Sequence, residues 1–185
     1  MKEEKTVFYP YSSWLKQRYG EKVYKLPVNL PVSCPNRCDG HGGCTFCSEK
    51  GTGFESVWQP ASVTEQMQHA RDVVAKRYKA RKFIAYFQNY TNTFMAMELF
   101  KAYLEEAAAF PDVVEISVST RPDCIRTDYL ACLAELQERT HVGINIELGL
   151  QTANYHTLDR VHRGHGLAEY IDAVLAIKRY PFTVC

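Results

Sequence analysis

Four of the chain's seven cysteines fall in one fourteen-residue stretch, Cys34 to Cys47, which reads CPNRCDGHGGCTFC. Gly40, Gly42, Gly43 and Pro35 lie among them. Neither apolar alternation nor helical periodicity runs through the stretch, so it is expected to be a glycine-bent loop with no core of its own. A thiol-rich loop of that kind points to a bound metal or cluster.

Two metal readings compete. Cys34, Cys38, Cys44 and Cys47 could close a four-thiolate zinc site. A zinc ribbon or knuckle, however, has two short cysteine pairs set apart by a longer loop, and here only five residues separate the pairs. Alternatively Cys34, Cys44 and Cys47 form C-x9-C-x2-C, three thiolates for an iron–sulfur cluster with one iron left open. A disulfide framework is disfavoured, because no secretory signal precedes the loop and the cysteine count is odd.

At 185 residues the chain is long enough for one domain with a sizeable core, and one domain over residues 1–185 is expected. A net charge of +1 gives no footprint of a dedicated nucleic-acid binder, although it leaves a local basic surface open. No apolar run could span a bilayer, and unpaired thiols suit a reducing cytoplasm.

The rest of the chain alternates strand and helix patterns. A short helix over Ser12–Arg18 should end at Gly20. Lys22–Leu30 reads as an edge strand because of Pro27 and Pro31. Ser48–Pro60, punctuated by Gly51 and Gly53, reads as loop. Ser62 and Glu65 make a capping box for a helix to Lys79. Strands follow at Phe83–Phe87, Val113–Val118, Val142–Leu150 and Phe182–Cys185. Helices separate them at Phe94–Phe110, from Thr127 or Asp128 to about Arg139, at Asn154–Val161 and at Leu167–Arg179. This order predicts an α/β fold with a parallel sheet and crossover helices, in which ligands sit outside the carboxyl ends of the strands. The polar residues gather there: the cysteine loop, Gln88 to Thr93, Ser119 to Asp123, and Glu147 with Gln151 and Arg160 to His165.

The run CPNR…GGCTFC resembles the cluster loop of radical S-adenosylmethionine (SAM) enzymes, in particular the YhcC-like branch related to the Elongator catalytic subunit. RYGEKVYKL, FIAYFQNYTNTF, ISVSTRPDCI, IELGLQTANYHTLDRVHRGH and FTVC continue the resemblance in order over nearly the whole chain. It implies a parallel partial (β/α) barrel, here supplied up to its fifth strand, with an open side and reduced stability. It also implies a 4Fe–4S cluster on Cys34, Cys44 and Cys47, with Cys38 outside the ligand set. SAM would be cleaved reductively to a 5′-deoxyadenosyl radical that abstracts hydrogen from a substrate. An electron donor of flavodoxin or ferredoxin type is implied, and a tRNA substrate is conceivable although the charge does not support it.

The resemblance places Phe46 against adenine and Gln88 and Asn89 at the SAM amino group. It brings Arg163 near the SAM carboxylate and turns Gln151 into the same cavity. Their alternatives are core packing for Phe46, a self-satisfied turn for Gln88 and Asn89, and a solvated loop for Arg163. Thr120 and Arg121 follow the third strand, and Arg121 could grip a carboxylate with both nitrogens or be a surface arginine. Glu147 lies in an apolar run, where an unpaired carboxylate is costly, so a ribose or an arginine should satisfy it. Cys132 reads as a core residue, whereas Cys124 could be core or a radical acceptor.

Overall fold

The structure, a computed structural model, describes residues 7–38, 40, 42–47 and 61–185. The loop expected at Ser48–Pro60 lies outside them. The elements run α1 (Tyr11–Tyr19), β1 (Val23–Val28), α2 (Pro35–Cys38), α3 (Val63–Tyr78), β2 (Lys82–Phe87), α4 (Met97–Ala108), β3 (Val113–Thr120), α5 (Thr127–Thr140), β4 (Gly143–Leu148), α6 (Tyr155–Arg160), α7 (Leu167–Ile177) and β5 (Thr183–Val184). All five strands are parallel, and they pair in chain order, β1-β2-β3-β4-β5. Parallel neighbours require crossover connections, and a strictly sequential order is that of a barrel wall rather than of a sheet wound both ways from its middle.

The chain-order reading of the elements holds, with local differences. Gly20 ends α1 at φ 75°, a conformation open to glycine without strain. Pro27 lies in β1 at the sheet edge, where its missing N–H breaks no inner ladder. The capping box of α3 is present: Ser62 Oγ accepts from Glu65 N at 3.1 Å, and Glu65 Oε2 accepts from Ser62 N at 2.8 Å. Helix α4 starts at Met97 rather than Phe94, because the preceding residues are spent on a turn closed by Phe94 N donating to Thr91 O at 2.8 Å. Helix α5 takes Arg126 as its cap, not Thr127 or Asp128. The cysteine stretch is not loop throughout: Pro35–Cys38 forms one helical turn, with Pro35 at its first position where no N–H is needed.

The two faces of the sheet differ in chemistry. Leu26, Ala85, Ile116 and Ile144 line up across four strands, and Val28, Phe87, Val118 and Ile146 form the next row. These rows pack with Phe100, Leu104, Leu130, Leu133 and Ile177 from the helices into one core. On the other face Lys25, Ile84, Glu115 and Gly143 make a row, and Ser117 with Asn145 and then Ser119 with Glu147 continue it toward the strand ends. Helix α1 covers the start of this polar face through Leu15, Trp14 and Tyr19, which meet Val23 and Ile84. Gly143 leaves room for the Tyr19 hydroxyl, since a Cβ there would lie 3.2 Å from it.

That hydroxyl donates to Glu115 Oε2 at 2.6 Å, while Oε1 is buried with no partner among the described residues. Burial raises the pKa of Glu115 above its ordinary value, and the hydrogen bond from Tyr19 offsets only part of the effect. A carboxyl whose pKa rises on folding opposes folding once the pH exceeds its unfolded value. Glu115→Gln keeps an acceptor for Tyr19, so it should raise the melting temperature at pH 7. The gain should vanish as the pH falls through the ordinary carboxylate range. Circular-dichroism melts across pH check both, and a variant no more stable at pH 7 contradicts the account.

Candidate active site

A cavity of about 390 Å³ opens at the carboxyl ends of the strands. Cys34, Cys44 and Cys47 all line it, together with Phe46, Thr120, Arg121, Glu147, Gln151 and Arg163. The sequence-predicted site thus comes together around one space, with two exceptions. Gln88 and Asn89 do not reach the wall. The chain turns at Tyr90, with φ 54°, so Tyr90 and Thr91 take those places and Asn89 is buried behind them. Cys38 is exposed and off the cavity, with Ser33 Oγ 3.9 Å from its sulfur.

Each of the three cavity thiols faces a guanidinium. Arg121 Nη1 lies 3.8 Å from Cys34 Sγ, Arg163 Nη1 3.4 Å from Cys44 Sγ, and Arg37 Nη1 3.7 Å from Cys47 Sγ. Arg121 is not a surface residue: it is 4% exposed. It does grip a carboxylate, but one of its own chain. Nε and Nη2 hold Asp123 at 2.9 and 2.7 Å, which leaves Nη1 for Cys34 and for Arg163 O at 3.0 Å. Nor is Arg163 in a solvated loop. It is 7% exposed and donates to Gly149 O at 2.6 Å, while its Nε is buried without a partner among the described residues. A buried guanidinium with a sulfur, a carbonyl and an idle N–H, and no carboxylate among the described residues, suits an anionic neighbour.

Two asparagines that the sequence reading left without a role of their own, Asn36 in the cysteine loop and Asn92 in the stretch after β2, set this geometry. Asn36 Nδ2 donates to His162 O at 2.5 Å and approaches Cys44 Sγ at 3.4 Å, which clasps the helical turn α2 to the segment after α6. Gly164, at φ 75°, is needed there, because a Cβ would lie 2.6 Å from Asn36 Oδ1. Asn92 is fully buried and donates to Phe87 O at 2.8 Å and Ser119 O at 2.9 Å, tying the ends of β2 and β3 together. An asparagine beside turn residues looks in sequence like any turn former, so no pattern separates these two from the rest.

Phe46 is 56% exposed on the cavity wall, so core packing does not account for it. Thr120 Oγ1 shares a 2.6 Å hydrogen bond with Thr93 Oγ1. Within the chain Glu147 is satisfied by a lysine and two hydroxyls rather than by an arginine. Lys25 Nζ donates to its Oε1 at 2.6 Å, and Tyr86 Oη and Ser119 Oγ donate to Oε2 at 2.7 and 3.0 Å. Burial acts to raise its pKa, but the donors outweigh burial and hold it below the ordinary carboxylate value. Cys124 stays off the cavity wall, with its thiol pushed up to about 12 by burial and then by Asp123. Cys132 is buried in the core as expected.

Comparison with known proteins agrees with this arrangement. A family model for the Radical SAM superfamily matches residues 29–185, so the chain belongs to that superfamily. Within it the relatives are of the YhcC-like branch. The chain is 37% identical over 173 residues to protein YhcC of Escherichia coli strain K12, covering 92% of this chain and 54% of that one. It is 38% identical over 174 residues to YtqA of Bacillus subtilis strain 168, covering 92% of this chain and 53% of that protein. It therefore spans about half the length of these relatives. Among solved structures it resembles the cobalamin-dependent SAM radical enzyme OxsB with aqua-cobalamin bound, at a TM-score of 0.51 and 15% identity over 85% of this chain and 23% of that one. That likeness concerns the fold. The cofactors of the superfamily are a 4Fe–4S cluster and SAM.

The Lys25–Glu147 pair lies partly buried, with side chains 31% and 21% exposed. Lys25→Met would strand a carboxylate among Tyr86 and Ser119 at a cost of about 1–3 kcal/mol at neutral pH. Because folding lowers the pKa of Glu147, its contribution is present above the unfolded value and lost as the pH falls through the folded one. Urea melts should therefore show the gap between wild type and variant closing in acid. The double variant Lys25→Met/Glu147→Leu should recover most of the loss, and a double variant as weak as the single one contradicts the pairing.

Proposed function

We propose that the chain carries a 4Fe–4S cluster on Cys34, Cys44 and Cys47, and binds SAM in the same cavity for radical chemistry on a further substrate. The observation that carries this reading is the set of three thiols along one cavity, each faced by a guanidinium. No three His, Cys, Asp or Glu side chains among the described residues converge tightly enough for a single metal ion. A cubane spreads its thiolates over separate irons, so it needs no such convergence. With Cys38 turned away, nothing favours a four-thiolate zinc site.

When bound, the cluster and SAM supply reductive cleavage of SAM and hydrogen abstraction from substrate. The chain's own residues orient and insulate. Arg37, Arg121 and Arg163 offset negative charge at the thiolates in a partly buried setting, where such offsets are worth more than in water. Phe46 offers an exposed ring for the adenine. Thr120, Gln151 and Arg163 offer polar groups for the amino-acid end and ribose of SAM, and the carboxylate of Glu147, held ionised by Lys25, can accept from hydroxyl or ammonium donors. Gln88 and Asn89 support the wall from behind. The electron donor, of flavodoxin or ferredoxin type, would meet the side of the barrel that carries the cysteine loop. All seven cysteines are free, which suits a reducing compartment such as the cytoplasm. Among the described residues no helix is long and apolar enough to cross a membrane.

Anaerobic reconstitution with iron and sulfide should give a brown protein with about four irons per chain. Cys34→Ala, Cys44→Ala and Cys47→Ala should each lose most of the iron, and Cys38→Ser should keep it. With SAM and a reductant the loaded protein should release 5′-deoxyadenosine. A colourless protein with one tightly held zinc, lost in Cys38→Ser, would overturn the reading.

A further inference from the structure

The near-neutral charge of the chain conceals a strong segregation. The segments 16–22 and 76–82 hold eight of its 22 lysines and arginines but only one of its 21 acidic residues. The structure brings the two segments together at the amino-terminal ends of β1 and β2. Lys22 Nζ donates to Tyr78 O at 3.1 Å, and Lys82 Nζ donates to Tyr19 O at 2.9 Å. Lys16, Arg18, Lys22, Lys76, Arg77, Lys79 and Arg81 are all exposed there. The one acidic neighbour in these segments, Glu21, is already paired with Lys82 at 4.0 Å.

Aromatic rings are interleaved with these charges. Tyr24 and Tyr78 stack at 4.5 Å between centroids, with Lys22 5.4 and 5.7 Å from the two rings. Arg18 stands over Trp14 at 5.2 Å, and Trp14 stacks on Tyr11 at 5.6 Å. Beyond them Phe8 and Tyr9 are 72% and 61% exposed, and Tyr9 is held to α1 by Gln17 at 2.6 Å. A row of rings along one helix that ends in a basic cluster is the pattern that suits a single strand: cations for the phosphates and faces for the bases. A membrane surface would use the charges but has no need of stacked rings, and an acidic protein would not need a row of exposed ones.

We propose that α1 and the joined ends of α1, α3 and β2 form a docking surface for single-stranded nucleic acid. Its phosphates lie on Lys22, Arg77, Lys79 and Arg81, and its bases stack along Trp14 and the rings before it. The basic cluster of this face lies at the amino-terminal ends of β1 and β2, and its row of rings runs from there toward Lys25, 5.6 Å from the Tyr11 ring; none of its residues is a cluster thiol, so it stands whether or not the chain carries a cluster.

Fluorescence anisotropy with a labelled oligouridylate of about 16 nucleotides tests it. Affinity should fall steeply between about 50 and 200 mM salt. Arg77→Gln/Lys79→Gln/Arg81→Gln should weaken binding at least about tenfold and flatten the salt slope by roughly one for each phosphate no longer neutralised. Trp14→Ala, with its fold checked by melting because Trp14 also helps seat α1, should weaken binding about tenfold with the salt slope unchanged, as removal of a stacking ring does. Lys101→Gln/Arg139→Gln, which removes two paired cations from α4 and α5, should leave binding intact. The proposal is overturned if the oligonucleotide fails to bind at about 50 mM salt. It is equally overturned if the triple variant, folded by its melting curve, binds like wild type. Binding to anionic lipid vesicles in place of RNA, indifferent to Trp14→Ala, also overturns it. Because none of these readouts needs iron or SAM, their failure is distinguishable from failure of the radical reading.

Discussion

Two buried guanidiniums hold the site end of this molecule together. Arg121, after β3, reaches Cys34 of the cysteine loop and the carbonyl of Arg163. Arg163, after α6, reaches Cys44 and the carbonyl of Gly149 after β4. Loops from β1, β3 and β4 are thus joined through two side chains with fixed planar donor arrays, a job that a lysine's single rotating ammonium could not do. Asp123 neutralises Arg121, whereas among the described residues no carboxylate answers Arg163. Burying that charge without a carboxylate is unfavourable for an empty cavity. The proposed cluster on the facing thiols would supply the missing negative charge.

The rest of the barrel wall allows this by keeping its two faces unlike. On the helix-covered face, rows of Leu, Ile, Val and Phe make a dry core that supplies the stability. The opposite face is paired rather than apolar: Tyr19 with Glu115, Asn145 with Ser117, and Lys25, Tyr86 and Ser119 with Glu147. These pairs satisfy most of the polar groups inside the sheet, with Glu115 Oε1 and Asn145 Oδ1 left over among the described residues, so the face can border a cavity without collapsing onto it. Ligand-binding groups at the strand ends then stand on a rigid wall whose stability is secured from the other side.

The alternation of strands and helices was legible because period-two and period-3.6 patterns are local, and capping residues such as Ser62 and Gly20 act within a few positions of themselves. Most of the cavity wall was legible too. A carboxylate in an apolar strand, such as Glu147, and polar residues just past the strand ends are conspicuous in a parallel α/β pattern. What sequence could not show is who pairs with whom. Lys25 and Glu147 lie 122 positions apart, and Asn36 and His162 lie 126 apart. No spacing rule reaches that far, so Lys25, rather than an arginine, as the in-chain partner of Glu147 and the clasping role of Asn36 were both invisible. Gln88 and Asn89 were misplaced for a subtler reason: a backbone reversal at Tyr90, a residue that seldom adopts positive φ, turned the wall by two positions.

Net charge misled in the same way, being a sum over positions that the fold then separates. The acidic excess of the remaining chain cancels the basic ends of α1, α3 and β2 on paper, yet folding places those ends side by side at the amino-terminal ends of β1 and β2. At physiological ionic strength a charge is felt over about 8 Å, a fraction of the length of a strand. A partner at that end therefore meets a basic surface, not a neutral protein. The cysteine loop itself follows the opposite, carboxyl end of β1.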